Sequence, residues 1–197
     1  MILKNTALKN KLKKIIKQFP DIKDVLIFGS VIRGKEDPSD IDILLIFKEK
    51  VNKEIEYVIR KELEKYAPSI SIISKTEETM LDPSFDARES MLFEGLSMIN
   101  NHIIAENYGF SSVGVFKYNT HSMNNAEKTK FYYALNGRNN QKGIAEQMEC
   151  IKMSDNILIV PLKNIDKIKE FFEVWHMVYV YIPTLIPLRL YKKALLE

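Results

Sequence analysis

Cysteine is nearly absent: the 197-residue chain holds one, Cys150. An intrachain disulfide framework is therefore excluded, and a cysteine-based zinc centre lacks ligands. One thiol suits a reducing compartment, so a cytoplasmic protein is expected. Glycine and proline are sparse, seven of each, and there is no low-complexity tract or internal repeat. Long apolar runs are missing as well. The most apolar late stretch, residues 174–188, is broken by His176, Pro183 and Pro187 and is too short to span a bilayer. No membrane partner is expected. The opening MILKNTALKNKLKK has no apolar run of signal-peptide length. The histidines, His102, His121 and His176, are scattered without metal-ligand spacing. No Walker-type P-loop, GxGxxG or Ser/His/Asp set is present.

What remains is an ordinary globular composition, 46% hydrophobic and 28% charged. The length suits one domain, or a compact domain with a smaller appendage. The net charge of +3 is weak evidence for a polyanionic partner. Lys4, Lys9, Lys11, Lys13, Lys14 and Lys17 crowd the start, alternating with Leu8, Leu12, Ile15, Ile16 and Phe19. This spacing reads as the wet face of an amphipathic helix, with a nucleic-acid contact as the alternative.

Apolar periodicity and breakers predict a helix over residues 5–18, ended by Pro20, and a buried strand over 25–28. A short helical piece is expected at 31–34, a loop at 37–39 and a second strand over 40–47. A charged helix over 53–66 precedes a third strand at 69–74, rich in β-branched residues. One long helix is expected over 87–107, with Met91, Leu92, Leu96, Ile99 and Ile103 on one face. Gly109 then marks a boundary. The expected domains are residues 1–108 and a smaller α+β part, 109–197. In the latter, strands are expected at 111–118, 156–160 and 177–182. Helices are expected at 127–135, 165–175 and 185–196, and a polar loop at 136–143.

Chemistry concentrates in residues 25–47. A buried strand runs into Gly29-Ser30; Gly29 has no side chain, so a ligand can approach the backbone closely. Ser30 adds a hydroxyl at the start of a turn, and exposed N–H groups there suit a phosphate. Asp40 and Asp42 lie two apart on a strand and so project from one face. Paired carboxylates repel unless neutralised, and Mg²⁺ takes one or two carboxylates together with substrate phosphates. Two such ions can hold the attacking and leaving oxygens of an in-line phosphoryl transfer. A bare glycine turn before a strand does not explain why both acids interrupt the opening of so apolar a strand.

Gly29-Ser30, Arg33-Gly34 and Ser39-Asp40-Ile41-Asp42, followed by apolar residues, resemble the signature of the polymerase-beta-like nucleotidyltransferase superfamily, nearest its minimal prokaryotic members. The resemblance implies an α/β (α+β) fold, a mixed β-sheet flanked by helices. It implies that Asp40 and Asp42 are catalytic and bind Mg²⁺ or Mn²⁺, and that Gly29, Ser30, Arg33 and Ser39 meet a nucleoside triphosphate. The implied activity transfers a nucleoside monophosphate to a hydroxyl of RNA, protein or a small molecule. Close likeness covers residues 25–47 and looser likeness 1–107; it does not reach the C-terminal part.

One departure stands out. Active members carry a third carboxylate on a neighbouring strand, and Ser71, or else Ser69, stands where it is expected. Glu77, Glu78, Asp82 and Asp86 follow; one folding back to the metals competes with the reading of solvated loop and helix-start acids. The alternative function is a lapsed fold that binds nucleotide, RNA or a protein partner. In the C-terminal part, residues 128–138 mix cations with aromatics. They read as an amphipathic helix with Phe131, Ala134 and Leu135 in the core, or as a base-stacking surface. Loop 137–143, with Arg138 and Lys142, is an exposed basic segment. Phe171, Phe172, Trp175, Tyr179 and Tyr181 are expected in the core or at a subunit contact, so a homo-oligomer is an open expectation.

Overall fold

A computed structural model describes residues 6–35, 40–65 and 69–194. The chain divides into two compact units at Gly109/Phe110.

The first unit opens with helix α1 (Thr6–Gln18). Its apolar stripe, Leu8, Leu12 and Ile15, is fully buried, each contributing roughly 2 kcal/mol. The lysines lie on the wet side: Lys11 pairs with Glu62 at 2.5 Å and Lys9 donates to Asn101 at 2.8 Å. Strand β1 (Ile22–Phe28) pairs antiparallel with β2 (Ile41–Phe47). Helix α2 (Lys53–Leu63) is capped by Asn52, whose side chain accepts from Glu54 and Ile55 N–H, and returns the chain to β3 (Ile70–Thr76). β3 runs parallel to β2.

The single helix expected over residues 87–107 is not formed. The chain makes α3 (Arg88–Glu94), a short strand β4 (Leu96–Ser97) and α4 (Ile104–Asn107). Helix α3 stops at Gly95, which adopts an extended conformation while its N–H closes on Met91 C=O at 2.8 Å. The pull away from helix is tertiary. β4 pairs antiparallel with β1, and the buried Asp24 side chain accepts from Ser97 Oγ at 2.5 Å and Ile99 N–H at 3.3 Å. Ile99, expected on the inner helix face, is exposed on the resulting turn. Residues 31–34 are likewise successive turns rather than a helical piece.

The resulting sheet is mixed, ordered β3-β2-β1-β4. On one face Leu26, Phe28, Leu44 and Ile46 pack with Met80, Phe85, Met91 and Ile104. The alternate side chains Val25, Ile27, Ile43 and Leu45 are also fully buried, so both faces are covered. Helix α1 packs on β1 and α2 on β3.

The second unit is α+β. It comprises β5 (Phe110–Asn119), α5 (Asn125–Asn136), a hairpin of β6 (Gly137–Arg138) and β7 (Gln141–Lys142), and α6 (Ile144–Gln147). β8 (Ile151–Ser154), β9 (Ile157–Pro161), α7 (Ile165–Val174), β10 (Val178–Pro187) and α8 (Leu188–Ala194) follow. The expected polar loop over 136–143 is thus a small hairpin, because Asn139 and Asn140 between its strands both take positive φ, 48° and 22°, as a two-residue hairpin turn requires. Four antiparallel strands lie in the order β10-β5-β9-β8. Phe116 and Tyr118 of β5 meet Phe172 of α7, Phe131 of α5 and Tyr179 and Tyr181 of β10, with ring centroids 5.1–5.9 Å apart. The aromatic stripe expected in the core or at a subunit contact therefore packs within the unit. β10 is an edge strand, which is where Pro183 and Pro187 are tolerated. Among the described residues no helix is long and apolar enough to cross a membrane.

Candidate functional site

The register of the first sheet assembles the site. Antiparallel pairing sets Phe28 opposite Asp42, so the chain leaves β1 at Gly29 beside Asp42. Gly29 has φ +90°, a region side chains avoid. A Cβ built there would stand 2.7 Å from Asp42 Oδ2. Glycine is thus required twice, by conformation and by the carboxylate seated against it.

Parallel pairing sets Asp42 opposite Ser71, and the Ser71 hydroxyl donates to the Asp42 carboxylate. Asp40 precedes β2, and Ile41 N–H bonds Ser69 C=O at 3.1 Å, tying this edge to β3. Burial is the largest influence on Asp42 and pushes its carboxyl above the usual range; the Asp40 charge adds to the rise. The Ser71 hydroxyl and the Arg33 guanidinium oppose it. A half-buried acid with a second carboxylate beside it is a place where a cation is favoured.

The turn after β1 is held from behind. Ile32 is fully buried, its N–H bonds Gly29 C=O at 3.0 Å, and Lys35 N–H bonds Ser30 C=O at 3.2 Å. Glu94, at the end of α3 and only 3% exposed, accepts from Gly29 N–H at 2.9 Å and from Arg33 Nη1 at 2.6 and 2.8 Å. Arg33 therefore braces the loop through an acid that the sequence reading did not single out. The signal was there: Glu94 stands three residues after Met91, on the apolar face of the helix. The Gly29 amide is consequently used inside the protein, and Ser30 is the half-buried group at the mouth of the turn.

The structure brings Gly29, Ser30, Arg33, Asp40 and Asp42 to one end of the sheet. Ser39 lies outside the described residues. The four later acids do not complete the group. Glu77 pairs with Lys23, near Thr76 and Phe47 at the opposite end of β2 and β3, and Glu78 follows it. Asp82 accepts from Ser84 N–H at 2.8 Å in a local turn, and Asp86 is exposed. Among the described residues no group of three or more His, Cys, Asp or Glu could hold a metal ion. The donor set is two hard carboxylates, which suits Mg²⁺ arriving with substrate phosphates better than a resident ion in a protein cage.

Residues 10–89 match the family described as Polymerase beta, Nucleotidyltransferase. The match lies within the first unit. The match spans α1 to the start of α3 and includes every residue of the two-carboxylate site except Glu94. Two solved structures are similar to this chain. The crystal structure of a toxin-antitoxin with AMP-PNP is 17% identical, covers 50% of this chain and 82% of that one, and has a TM-score of 0.38. A crystal structure of a mutant of the toxin-antitoxin MntA-HpeT is 14% identical over 50% and 81%, with a TM-score of 0.36. No curated protein matches the chain.

Proposed function

We propose that the chain is a Mg²⁺- or Mn²⁺-dependent nucleotidyltransferase that moves a nucleoside monophosphate from a nucleoside triphosphate to a hydroxyl and releases pyrophosphate. The observation that carries this reading is the seating of the Asp42 carboxylate against the α-carbon of Gly29, with Asp40 near enough for its charge to raise the Asp42 carboxyl. Asp40 and Asp42 are the residues that would hold the divalent ion. That ion would neutralise charge on the phosphates and on the oxygens gained and lost. Ser30 and the turn after it would meet the phosphates; Arg33 and Ser39 are further contacts in this reading. The acceptor oxygen forms a bond to the α-phosphorus as the bond to the β-phosphate oxygen breaks. The acceptor gives up its proton, and the protein's share is positioning and charge. The second unit would engage the acceptor, whether RNA, protein or a small molecule.

A second reading has its own observation. Ser71, not a carboxylate, stands opposite Asp42. A nucleotidyltransferase fold with a neutral third position could bind nucleotide, RNA or a protein partner without efficient transfer. Incubation with each labelled triphosphate, Mg²⁺ or Mn²⁺, and total RNA or protein separates the two. A labelled product that disappears in the Asp40→Asn, Asp42→Asn double variant supports transfer. Metal-dependent triphosphate binding with no product under any condition supports the binding module. Triphosphate binding unaffected by the double variant would sink both assignments of the carboxylates.

A further inference from the structure

The second unit holds a cavity of about 480 Å³ between α5, the end of β5 and the β8–β9 turn. Its size is that of small-molecule sites in general. Two of the groups lining it lack partners. The Tyr118 side chain is 97% buried by its 3% exposure, and its hydroxyl makes no hydrogen bond. Buried hydroxyls are rarely left this way unless a ligand or water completes them. Burial pushes the Tyr118 phenol up to about 12, with a smaller rise from the Asp155 charge, so at neutral pH it is a protonated donor. Lys128, half-buried on α5, also lines the cavity, and its ammonium has no carboxylate or carbonyl partner among the described residues.

The remaining lining is mixed: the rings of Phe131, Tyr132 and Tyr133, apolar Leu135, neutral polar side chains, and the Lys152–Asp155 pair. Tyr132 presents an exposed ring, and the Lys152 ammonium lies 5.4 Å from its centroid. Lys152 also pairs with Asp155 at 3.1 Å, which holds it at the rim. Along α5, Lys128 and Tyr132 stand four apart and so neighbour each other on the helix surface, while the buried Phe131 and Leu135 form the apolar floor of the same cavity.

We propose that this cavity is a nucleotide site. The base lies against the Tyr132 ring, the Tyr118 hydroxyl donates to a base nitrogen or carbonyl, and the adjoining phosphate meets Lys128 and Lys152. Aromatic faces tolerate any base, and paired lysines recognise phosphate as a point charge, so the site selects nucleotide chemistry more than sequence. A nucleotide in an RNA strand and a free mononucleotide share this chemistry. The site lies wholly within the second unit, so it does not rest on the transfer reading of the first.

The test uses the full chain without divalent ions, both wild type and in the Asp40→Asn, Asp42→Asn background, which keeps the first unit's site out of the readout. Binding of a fluorescein-labelled single-stranded RNA 12-mer is followed by anisotropy, with AMP, a double-stranded RNA and inorganic phosphate as competitors. Tyr132→Ala should weaken binding by about 10- to 100-fold, the range for losing one stacked base. Lys128→Gln should weaken it and flatten its salt dependence by about one ion. Tyr118→Phe should weaken binding about fivefold while leaving the melting temperature equal or higher, because it removes an unpartnered hydroxyl. Competition by AMP identifies a mononucleotide site; binding of the strand with no AMP competition identifies an RNA site. Either result supports the proposal when it tracks Tyr132 and Lys128. Equal affinity in Tyr132→Ala and Lys128→Gln, or no binding of strand and mononucleotide alike, overturns it. So does a Tyr118→Phe variant that melts higher and binds as before, which would make the cavity a packing defect.

Discussion

Replacing Ser71 by Asp puts a number on the two-carboxylate arrangement. Ser71 faces Asp42 across a parallel pair and donates a hydrogen bond to it. Neighbouring strands are about 4.8 Å apart, so the new carboxylate would sit about 5 Å from Asp42. At an effective dielectric near 20, two charges at that distance repel by about 3 kcal/mol. The wild-type hydrogen bond is lost as well. Without metal at pH 7, Ser71→Asp should lower the melting temperature of the first unit by roughly 10–20 °C. Like-charge repulsion raises the folded carboxyl pKa above its unfolded value. The protein is therefore least penalised below the unfolded carboxylate pKa, and the loss grows as pH rises through the folded one. Acidification from pH 7 toward 4 should narrow the gap to wild type. A divalent ion should do the same at neutral pH: at about 100 times its dissociation constant it restores about 2.7 kcal/mol, nearly the whole penalty. The assay is a set of thermal melts with and without Mn²⁺ at the two pH values, beside a transfer assay. If the site is the one proposed, the third acid should also raise transfer by up to about 10²–10⁴-fold. A variant as stable as wild type without metal, and indifferent to Mn²⁺, would show that residues 42 and 71 do not share a site.

Gly29→Ala should destabilise by about 1–3 kcal/mol, because it forces a side chain into a positive-φ turn. It should also abolish metal-dependent triphosphate binding, because the new Cβ meets Asp42 Oδ2 at 2.7 Å; calorimetry with Mg²⁺-triphosphate reads the second effect apart from the first. Glu94→Ala should cost about 3 kcal/mol by leaving Arg33 and the Gly29 amide without their acceptor. A double-mutant cycle with Arg33→Ala, read by denaturant unfolding, should return a coupling of about 1–3 kcal/mol, and a value near zero would break the brace. Tyr118, pushed up to about 12 by burial, has a folded pKa above its unfolded one, so the fold is unaffected by its ionisation below pH 10 and is progressively penalised as pH rises toward 12. Melts of wild type and Tyr118→Phe should therefore diverge between pH 10 and 12, and the 295 nm titration of wild type should show one more late phenolate than that of the variant. Cys150, pushed up to about 12 by burial and secondarily by Glu149, should label slowly. Labelling of this half-buried thiol as fast as in the unfolded chain would refute the shift.

Much of the first unit follows from local pattern. The strand of β2 is legible because Ile41, Ile43, Leu44, Leu45 and Ile46 are too apolar for anything but a sheet covered on both faces, and the two aspartates at its start are conspicuous against it. Gly29-Ser30 after one such strand and Ser39-Asp40-Ile41-Asp42 before the next carry the resemblance to the nucleotidyltransferase superfamily without any contact being known. The amphipathic helices α1 and α7 are read from spacing alone, because each buries one stripe and nothing in its surroundings asks for another conformation. Ser71, or else Ser69, is expected near the two acids only through the family resemblance; the parallel register puts Ser71 opposite Asp42.

Pairing and partnership were decided only by the tertiary structure. Residues 87–107 carry a helical period throughout, yet hydrogen bonds from Ser97 and Ile99 to a buried acid seventy-odd residues away turn the chain into a sheet edge. A periodicity argument has no access to Asp24, so it continues the helix. The same blindness hid Glu94, whose role exists only because the end of α3 comes to rest behind Gly29 and Arg33. In the second unit the sequence offered two faces for the helix around Tyr132 and Phe131. Which residues would be buried followed from spacing, but the unpartnered hydroxyl of Tyr118 and the cavity beside Lys128 arise from strands far along the chain closing over one another. Spacing reports which side of an element is apolar. Which group waits there for a partner depends on what the rest of the chain brings to it.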